Sequence, residues 1–198
     1  EAHTESIRHT DGHKLLEQMQ RLARSPSQKA RATTQAAWHA MVHGHLETAI
    51  NRGEQSLALA ESVGTEELLA PARLQLGTAL GVAGQLQRAL PLLHQAMPWA
   101  KAQLPADEQA SFLGNLAAVL DNLGKPDEAR QHHLSALALT ARLTDSTHRA
   151  TLLANYAMSR LEAGDPLGAR ELAQKAQHLV EVHDAKSSTA GFIAALMT

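Results

Sequence analysis

Small residues recur along the chain at a fixed spacing of 40 residues. The clearest column consists of glycines: Gly44, Gly84, Gly124 and Gly164. Three further columns are mostly alanine and begin at Ala30, Ala37 and Ala49, and a fourth begins at Ser56 and continues with Ala. The glycine column uses four of only 12 glycines, so an Ala-rich composition does not explain the pattern. A fixed period of this length predicts a repeat architecture.

Each repeat unit is predicted to contain two helices. Ala and Leu far outnumber the β-branched residues Val and Ile, and unbranched side chains favour helices over strands. In the third unit, Leu113, Leu116 and Leu120 recur at helical spacing within the stretch 110–123. Gly124 is expected to end this helix. The next helix is expected to start at Lys125-Pro126 and to close near Thr144-Asp145. The predicted N-caps are Thr65, Asp145 and Ser187.

Stacked hairpins of this kind predict an all-α superhelix in one solenoid domain over residues 1–198. The predicted full units are 29–64, 69–104, 109–144 and 149–184, with partial units at 5–24 and 187–198. Neither end carries a polar capping helix, so the chain is interpreted as a fragment of a longer protein. Uncapped apolar ends also predict association of the fragment with a second copy.

The columns resemble the tetratricopeptide repeat. That family has an apolar residue followed by a small one in the first helix, Gly at the turn, and two Ala seven residues apart in the second helix. The second unit shows all of these in Leu76-Gly77, Gly84, Ala89 and Ala96, and the third and fourth units repeat them in register. The first unit is weaker, with Ser56 in place of the second Ala. In the fourth unit Arg160 stands where Leu80 and Leu120 stand in the second and third.

The family's usual period is 34 residues, so a 40-residue period implies longer helices. Long units of this type look like those of kinesin light chains, bacterial peptide-sensing regulators and the sensor arrays of large bacterial activators. The resemblance implies a right-handed superhelix with a protein- or peptide-binding role inside a larger, cytoplasmic transcriptional regulator. That implication is an analogy of architecture, because fold alone does not fix function.

In this architecture the first helices line a concave groove. Equivalent positions of the four first helices all carry amides: Gln35, Gln75, Asn115 and Asn155. An amide both donates and accepts, so the four can match the alternating N–H and C=O groups of an extended peptide. In the resembling families, Asn at this point commonly holds the backbone of a bound peptide. The alternative is that the amides bond to neighbouring helices and set the superhelical pitch.

The rest of the candidate groove lies within two turns of these amides. It consists of Trp38, Met41, Thr78, Asn122 and Met158. Trp38 and Met41 are expected to form an apolar pocket for a partner, and methionine surfaces adapt to varied ligands. Both could equally pack against the preceding helix as part of the core.

The sequence argues against catalysis, cofactors and metals. There is no Cys, no G-x-S-x-G elbow, no Walker loop and no dinucleotide fingerprint. His39, His43 and His45 form a cluster, and His39 and His43 have the i, i+4 spacing that chelates metals, as do His9 and His13. No acid or Cys completes a known zinc motif, so we expect no metal site.

Direct nucleic-acid and membrane contacts are also not expected. The formal charge is −2, which provides no overall attraction to phosphates, and no apolar run reaches the length of a membrane span. The leading hypothesis is therefore a protein- or peptide-binding module that uses the concave groove. The alternatives are a structural spacer or self-association unit, and a sensor domain for a small molecule.

Overall fold

The computed structural model describes residues 14–141 and 146–183, and within these ranges the regular structure is helical, with no strand. The first helical segment, α1, covers residues 14–22. Eight further helices follow: α2 (Pro26–Val42), α3 (Leu46–Val63), α4 (Glu66–Val82), α5 (Leu86–Gln103), α6 (Ala106–Asn122), α7 (Pro126–Thr140), α8 (Ser146–Glu162) and α9 (Pro166–His183). No helix within the described ranges combines the length and the apolar character that a membrane crossing requires.

The chain divides into two compact units, Glu1–Trp99 and Ala100–Thr198, with the boundary inside α5. In the first unit α2 packs against α3, and both contact α4. In the second unit α6 packs against α7, both contact α8, and α8 packs against α9. In each unit the first helices of two successive hairpins are therefore in contact, α2 with α4 and α6 with α8.

The glycine column forms the turns between the two helices of each hairpin. Gly44, Gly84, Gly124 and Gly164 have φ values of 77°, 72°, 71° and 79°, in the left-handed region that L side chains avoid. Each one lies two residues beyond the last residue of a first helix, at the turn where the sequence predicts it. The turns thus depend on the absence of a Cβ atom, which explains why the column contains only glycine.

The alanine columns form the core of each hairpin. Ala30, Ala49, Ala89, Ala129 and Ala169 are all buried, as are their column partners in the described helices. Short side chains allow helices to approach closely, and Leu fills the flanks. Gly77 shows how tight the packing is, because a Cβ atom there would lie 3.0 Å from Cγ and from Cδ2 of Leu93. The all-α repeat fold predicted from the sequence is confirmed.

Helix ends differ from the prediction in several places. The first helix of the third hairpin, α6, starts at Ala106 rather than at the predicted Ala110. The described part of α7 ends at Thr140, before the predicted end near Thr144-Asp145. Thr65 is the N-cap residue of α4, but its side chain makes no capping hydrogen bond. Asp145 and Ser187 lie outside the described residues. A capping box that was not predicted from the sequence starts α2, where the Ser25 hydroxyl accepts a hydrogen bond from the backbone N–H of Gln28 at 3.2 Å.

Ser56 explains why the first unit departs from the alanine column. Its side chain is buried and lies 2.5 Å from the Thr34 hydroxyl, and it donates to the Ala30 carbonyl at 3.3 Å. Thr34 also donates to the Ala30 carbonyl, at 3.0 Å. A buried pair of hydroxyls thus replaces apolar contacts at this helix crossing, and both hydroxyls have partners.

Candidate functional site

The four predicted amides all lie on first helices, on α2, α4, α6 and α8. Gln35, Asn115 and Asn155 are exposed, and Gln75 is half-buried. Within the part of the chain that the structure describes, none of the four side chains forms a hydrogen bond. No hydrogen bond from these amides to a neighbouring helix is seen in the described residues, and their role in binding or in setting the superhelical pitch stays a prediction.

Gln75 and Thr78 differ from the other candidates because their polar atoms are buried. Gln75 Oε1 and Thr78 Oγ1 are inaccessible to solvent and have no hydrogen-bond partner among the described residues. Thr78 is only 6% exposed. Buried polar atoms usually find a partner, so this pair is an unusual feature of the first unit. Its position on α4 is the one that the sequence predicts, but its burial is not.

The apolar candidates of the first unit separate into surface and core. Trp38 on α2 is 46% exposed, and Val42 and Val82 are also exposed near the ends of α2 and α4. Met41 instead packs against the cluster of Ala40, Ala49 and Ala79. Trp38 is thus available to a partner, whereas Met41 contributes mainly to the core of its hairpin.

In the second unit, two other candidates have local roles. Asn122 is exposed, but its side-chain amide donates to the Ala118 carbonyl of the same helix at 2.8 Å. Met158 on α8 is half-buried. Asn115 and Asn155 are therefore the candidates of this unit with exposed side chains and no hydrogen bond to the rest of the described chain.

A buried polar network in the second unit was not predicted from the sequence. Asp121 on α6 contacts His133 Nε2 on α7 through Oδ2 at 2.9 Å. Its other oxygen accepts from the Ser159 hydroxyl on α8 at 2.9 Å. The imidazole of His133 is 2% exposed and stacks on Tyr156, with ring centroids 4.9 Å apart. The Ser, His and Asp residue types are those of a catalytic triad, but here the serine contacts the aspartate rather than the histidine, so the contacts do not follow the order Ser–His–Asp of a triad.

Arg160 occupies a position that carries Leu in the second and third units. Its guanidinium contacts the Asp165 carboxylate, and Asp165 in turn accepts from the Gly168 amide at 2.9 Å. That backbone hydrogen bond, followed by the Arg160 contact, lowers the pKa of Asp165 below its usual value. The arginine thus supports the start of α9 instead of filling a core position.

The histidine cluster at the end of α2 has a defined geometry. His39 Nε2 and His43 Nε2 lie 2.9 Å apart, and the rings meet edge to face with centroids separated by 4.1 Å. No group of three or more His, Cys, Asp or Glu side chains in the described ranges is arranged to hold a metal ion.

Comparison with known proteins is consistent with this geometry. Residues 108–179 match a family model described as a tetratricopeptide repeat. No curated protein sequence matches the chain. Because the family model lies within the second unit, from α6 to α9, the comparison of folds over most of the chain comes from solved structures.

Several solved structures share the fold over most of the chain. A kinesin light chain from Podospora anserina with nearly identical TPR-like repeats is 20% identical, with 91% of this chain and 92% of that chain covered and a TM-score of 0.66. A Rap protein solved with Competence and Sporulation Factor is 16% identical, with 93% and 51% covered and a TM-score of 0.75. Bacillus thuringiensis PlcR, solved with the peptide PapR7 and DNA, is 12% identical, with 97% of this chain and 69% of the PlcR chain covered and a TM-score of 0.69. At these identities the likeness shows the fold alone.

Proposed function

Because the chain carries tetratricopeptide-like repeats, we propose that it is a module that binds an extended peptide segment of a partner protein. The observation that carries this proposal is the pair of exposed amides on α6 and α8, Asn115 and Asn155, which occupy equivalent positions on two helices in contact. Neither side chain bonds to another described residue, so both remain able to donate and accept. An extended peptide needs both functions from its receptor.

The first unit offers a candidate peptide contact of its own. Gln35 and Trp38 lie one turn apart on α2 and are both exposed, so a peptide held by the amide can place an apolar side chain on the indole. Aromatic anchors of this kind dominate many interfaces. Met41, Gln75 and Thr78 in the first unit, and Asn122 and Met158 in the second, remain predicted contacts of the proposal, each within its own unit.

The proposal extends to the protein that contains the module. Rap and PlcR, which share the fold, were solved in complexes with Competence and Sporulation Factor and with PapR7, and these complexes support a sensor or interaction role. We place the module in a larger regulatory protein of the bacterial cytoplasm, by analogy a transcriptional regulator. In this proposal the module itself has no catalytic activity, no cofactor and no direct contact with nucleic acid or membrane.

The test is a peptide selection followed by affinity measurement. A library of random linear dodecapeptides is selected on the immobilised chain, and the binding of a labelled selected peptide is measured by fluorescence anisotropy. We expect Asn115→Ala/Asn155→Ala to weaken binding about tenfold or more, because each lost hydrogen bond contributes about 0.5–1.5 kcal/mol.

The matched control is Gln131→Ala/Gln174→Ala, which removes two exposed amides from the second helices α7 and α9. We expect this variant to bind the peptide as the parent does. Equal affinity of the Asn115→Ala/Asn155→Ala variant, with its helical circular dichroism intact, would contradict the proposal. Equal weakening by both pairs would instead indicate a general loss of stability.

Self-association is a second candidate function, favoured by a different surface. Leu15, Met19 and Leu22 follow one another at i, i+4 and i+7 on α1, so they share one face of that helix, and all three are exposed. An apolar row of this kind is a typical contact between helices. In this alternative the repeats act as a spacer that pairs with a second copy.

A further inference from the structure

We propose that one face of α2 gives the first unit a charge preference, so that it selects a peptide segment with an acidic side chain four residues from a large apolar one. This inference rests on the proposed peptide-binding function and narrows the class of peptide. Its basis is a row of side chains that presents a cation, an amide and two apolar groups in succession. The row consists of Arg31, Gln35, Trp38 and Val42, and all four are exposed.

The row lies on one face of α2 because its spacing follows the helical repeat. Positions i, i+4, i+7 and i+11 of an α-helix fall within an arc of about 60°. On α4, which contacts α2, Val82 occupies the position equivalent to Val42. Val42 is 54% exposed and Val82 is 67% exposed. The face therefore has a cationic end at Arg31 and an apolar end at Trp38 and Val42.

Arg31 is a cation without an acidic partner in the described part of the chain. Its guanidinium takes part in no ion pair or hydrogen bond there, whereas Arg73 of α4 pairs with Glu66. The helix α2 itself contains no Asp or Glu. None of the equivalent positions of α4 is acidic, and they carry Pro71, Gln75, Thr78 and Val82. A cation with no acid on its own face favours an anionic group in the partner.

The spacing along α2 determines the spacing in the peptide. Arg31 precedes the midpoint between Trp38 and Val42 by nine positions, which is about 13.5 Å along the helix axis. An extended chain rises about 3.3–3.4 Å per residue, so four residues cover the same distance. Side chains four residues apart in an extended chain also point to the same side. A carboxylate at Arg31 therefore places an apolar side chain on the indole, with Gln35 beside the peptide backbone between them.

The two ends of the row contribute to binding in different ways. An exposed ion pair raises affinity by up to about fivefold, and salt screens it. The apolar end contributes more, because aromatic anchors dominate many interfaces. The cation at Arg31 thus determines which apolar segments are preferred, and the indole of Trp38 provides most of the affinity.

The experiment selects linear peptides on several versions of the full chain. A phage-displayed library of random dodecapeptides is selected on the parent, Arg31→Gln, Trp38→Ala and Lys29→Gln, each with its helical circular dichroism verified. Lys29 is the matched control, because it is the other lysine or arginine of α2, is exposed and lies on the opposite face. The measured quantity is the frequency of Asp or Glu four residues from Leu, Ile, Phe or Met, relative to the unselected library.

We expect the parent and Lys29→Gln to enrich this pairing. Arg31→Gln should keep the apolar residue but lose the acid, and Trp38→Ala should lose the apolar residue. The strongest peptide from the parent is then measured by fluorescence anisotropy beside a copy whose acidic side chain is replaced by the corresponding amide. Arg31→Gln should weaken binding of the acidic peptide about fivefold and leave binding of the amide copy unchanged. Lys29→Gln should bind both peptides as the parent does.

Recovered peptides without this pairing, or an equal loss of affinity for both peptides in Arg31→Gln, would overturn the inference. The proposed function would still stand in that case if Asn115→Ala/Asn155→Ala weakens binding of the recovered peptides, so the two failures are distinguishable. A pairing that depends on Arg31 but not on the two asparagines would support the inference and contradict the role proposed for those amides. Recovery of no peptide would overturn both. A dimer of the parent that Trp38→Ala abolishes would show that this face pairs with a second copy, which also overturns the inference.

Discussion

Single residues in this chain are constrained most where two helices touch. Gly77 lies on α4, and a Cβ atom at this position would lie 3.0 Å from Cγ and Cδ2 of the buried Leu93, and 3.3 Å from Cβ of Leu92. Alanine would improve helix propensity by about 1 kcal/mol. Overpacking of a well-filled core costs about 1–3 kcal/mol, so the steric effect exceeds the gain in propensity.

We therefore expect Gly77→Ala to lower the free energy of unfolding by about 1 kcal/mol, measured by urea denaturation. The control is the same change in a Leu93→Ala background, where Cγ and Cδ2, the two closest atoms, are absent. In that background the penalty of Gly77→Ala should become smaller or vanish, because only the contact with Leu92 Cβ opposes the gain in helix propensity. An equal penalty in both backgrounds would show that Leu93 is not the cause.

Asp165 is expected to make the stability of the folded chain depend on pH. Its carboxylate accepts from the Gly168 amide and contacts Arg160, and these interactions lower its pKa in the folded state. A lowered folded pKa means that the stabilisation is fully present above the unfolded pKa, which lies near 3.8. It is lost as the pH falls through the folded value.

We expect Asp165→Asn to reduce the loss of stability on acidification from about pH 5 to below the unfolded pKa near 3.8, because the stabilisation is lost as the pH falls through the lowered folded pKa. Urea midpoints measured at several pH values in this range provide the test. Asp107→Asn is the control, because Asp107 is an exposed acid in the first turn of α6. Identical pH profiles for Asp165→Asn and the parent would show that this contact does not contribute.

At the scale of helices, the second unit depends on a polar contact that joins three elements. Asp121 on α6 holds His133 on α7 and Ser159 on α8, and all three are buried or nearly so. Removing one member of a buried network leaves the others without partners, and each such group costs about 1–3 kcal/mol. Replacing the whole network by apolar residues avoids that cost.

We expect Asp121→Ala to destabilise the chain by about 2–4 kcal/mol, because His133 and Ser159 both lose a partner. The triple variant Asp121→Leu/His133→Leu/Ser159→Ala should lie within about 1 kcal/mol of the parent. These choices follow residues at equivalent positions of other units, namely Leu161, Leu93 and Ala79. Thermal or urea unfolding distinguishes the two variants, and a triple variant weaker than Asp121→Ala would show that the network is irreplaceable.

The helices themselves follow from the sequence, but the network does not. The column from Gly44 to Gly164 predicts the turns because a left-handed backbone needs glycine whatever lies around it. Asp121 and Ser159 are 38 residues apart, and no local rule pairs them. The available signal was His133, a polar residue at a position that holds Gly53, Leu93 and Ala173 in the other units.

The candidate site was predictable in position but not in accessibility. The 40-residue register places the amides on equivalent points of the first helices, because helical geometry repeats with the sequence. Register does not determine which atoms neighbouring residues cover. The unpaired Gln75 Oε1 and Thr78 Oγ1 are buried, whereas Asn115 and Asn155 remain exposed.

At the scale of the whole molecule, we expect the apolar row on α1 to decide whether the chain associates with a second copy. Leu15 and Leu22 are 59% and 64% exposed, and Met19 lies between them on the same face. Exposed apolar rows of this kind favour contact with a second surface, and the gain grows with the apolar area that is covered. A second copy of α1 offers a surface of the same character.

We therefore expect sedimentation velocity to show a dimer fraction that increases with protein concentration. Leu15→Glu/Leu22→Glu should abolish that fraction, because two carboxylates on each face cannot be buried without partners. Gln18→Glu/Gln20→Glu adds the same charge to exposed polar positions of the same helix and should leave the dimer fraction unchanged. If the Leu15→Glu/Leu22→Glu variant still dimerises, the contact lies elsewhere. If both pairs abolish the dimer, overall charge rather than the apolar row controls association.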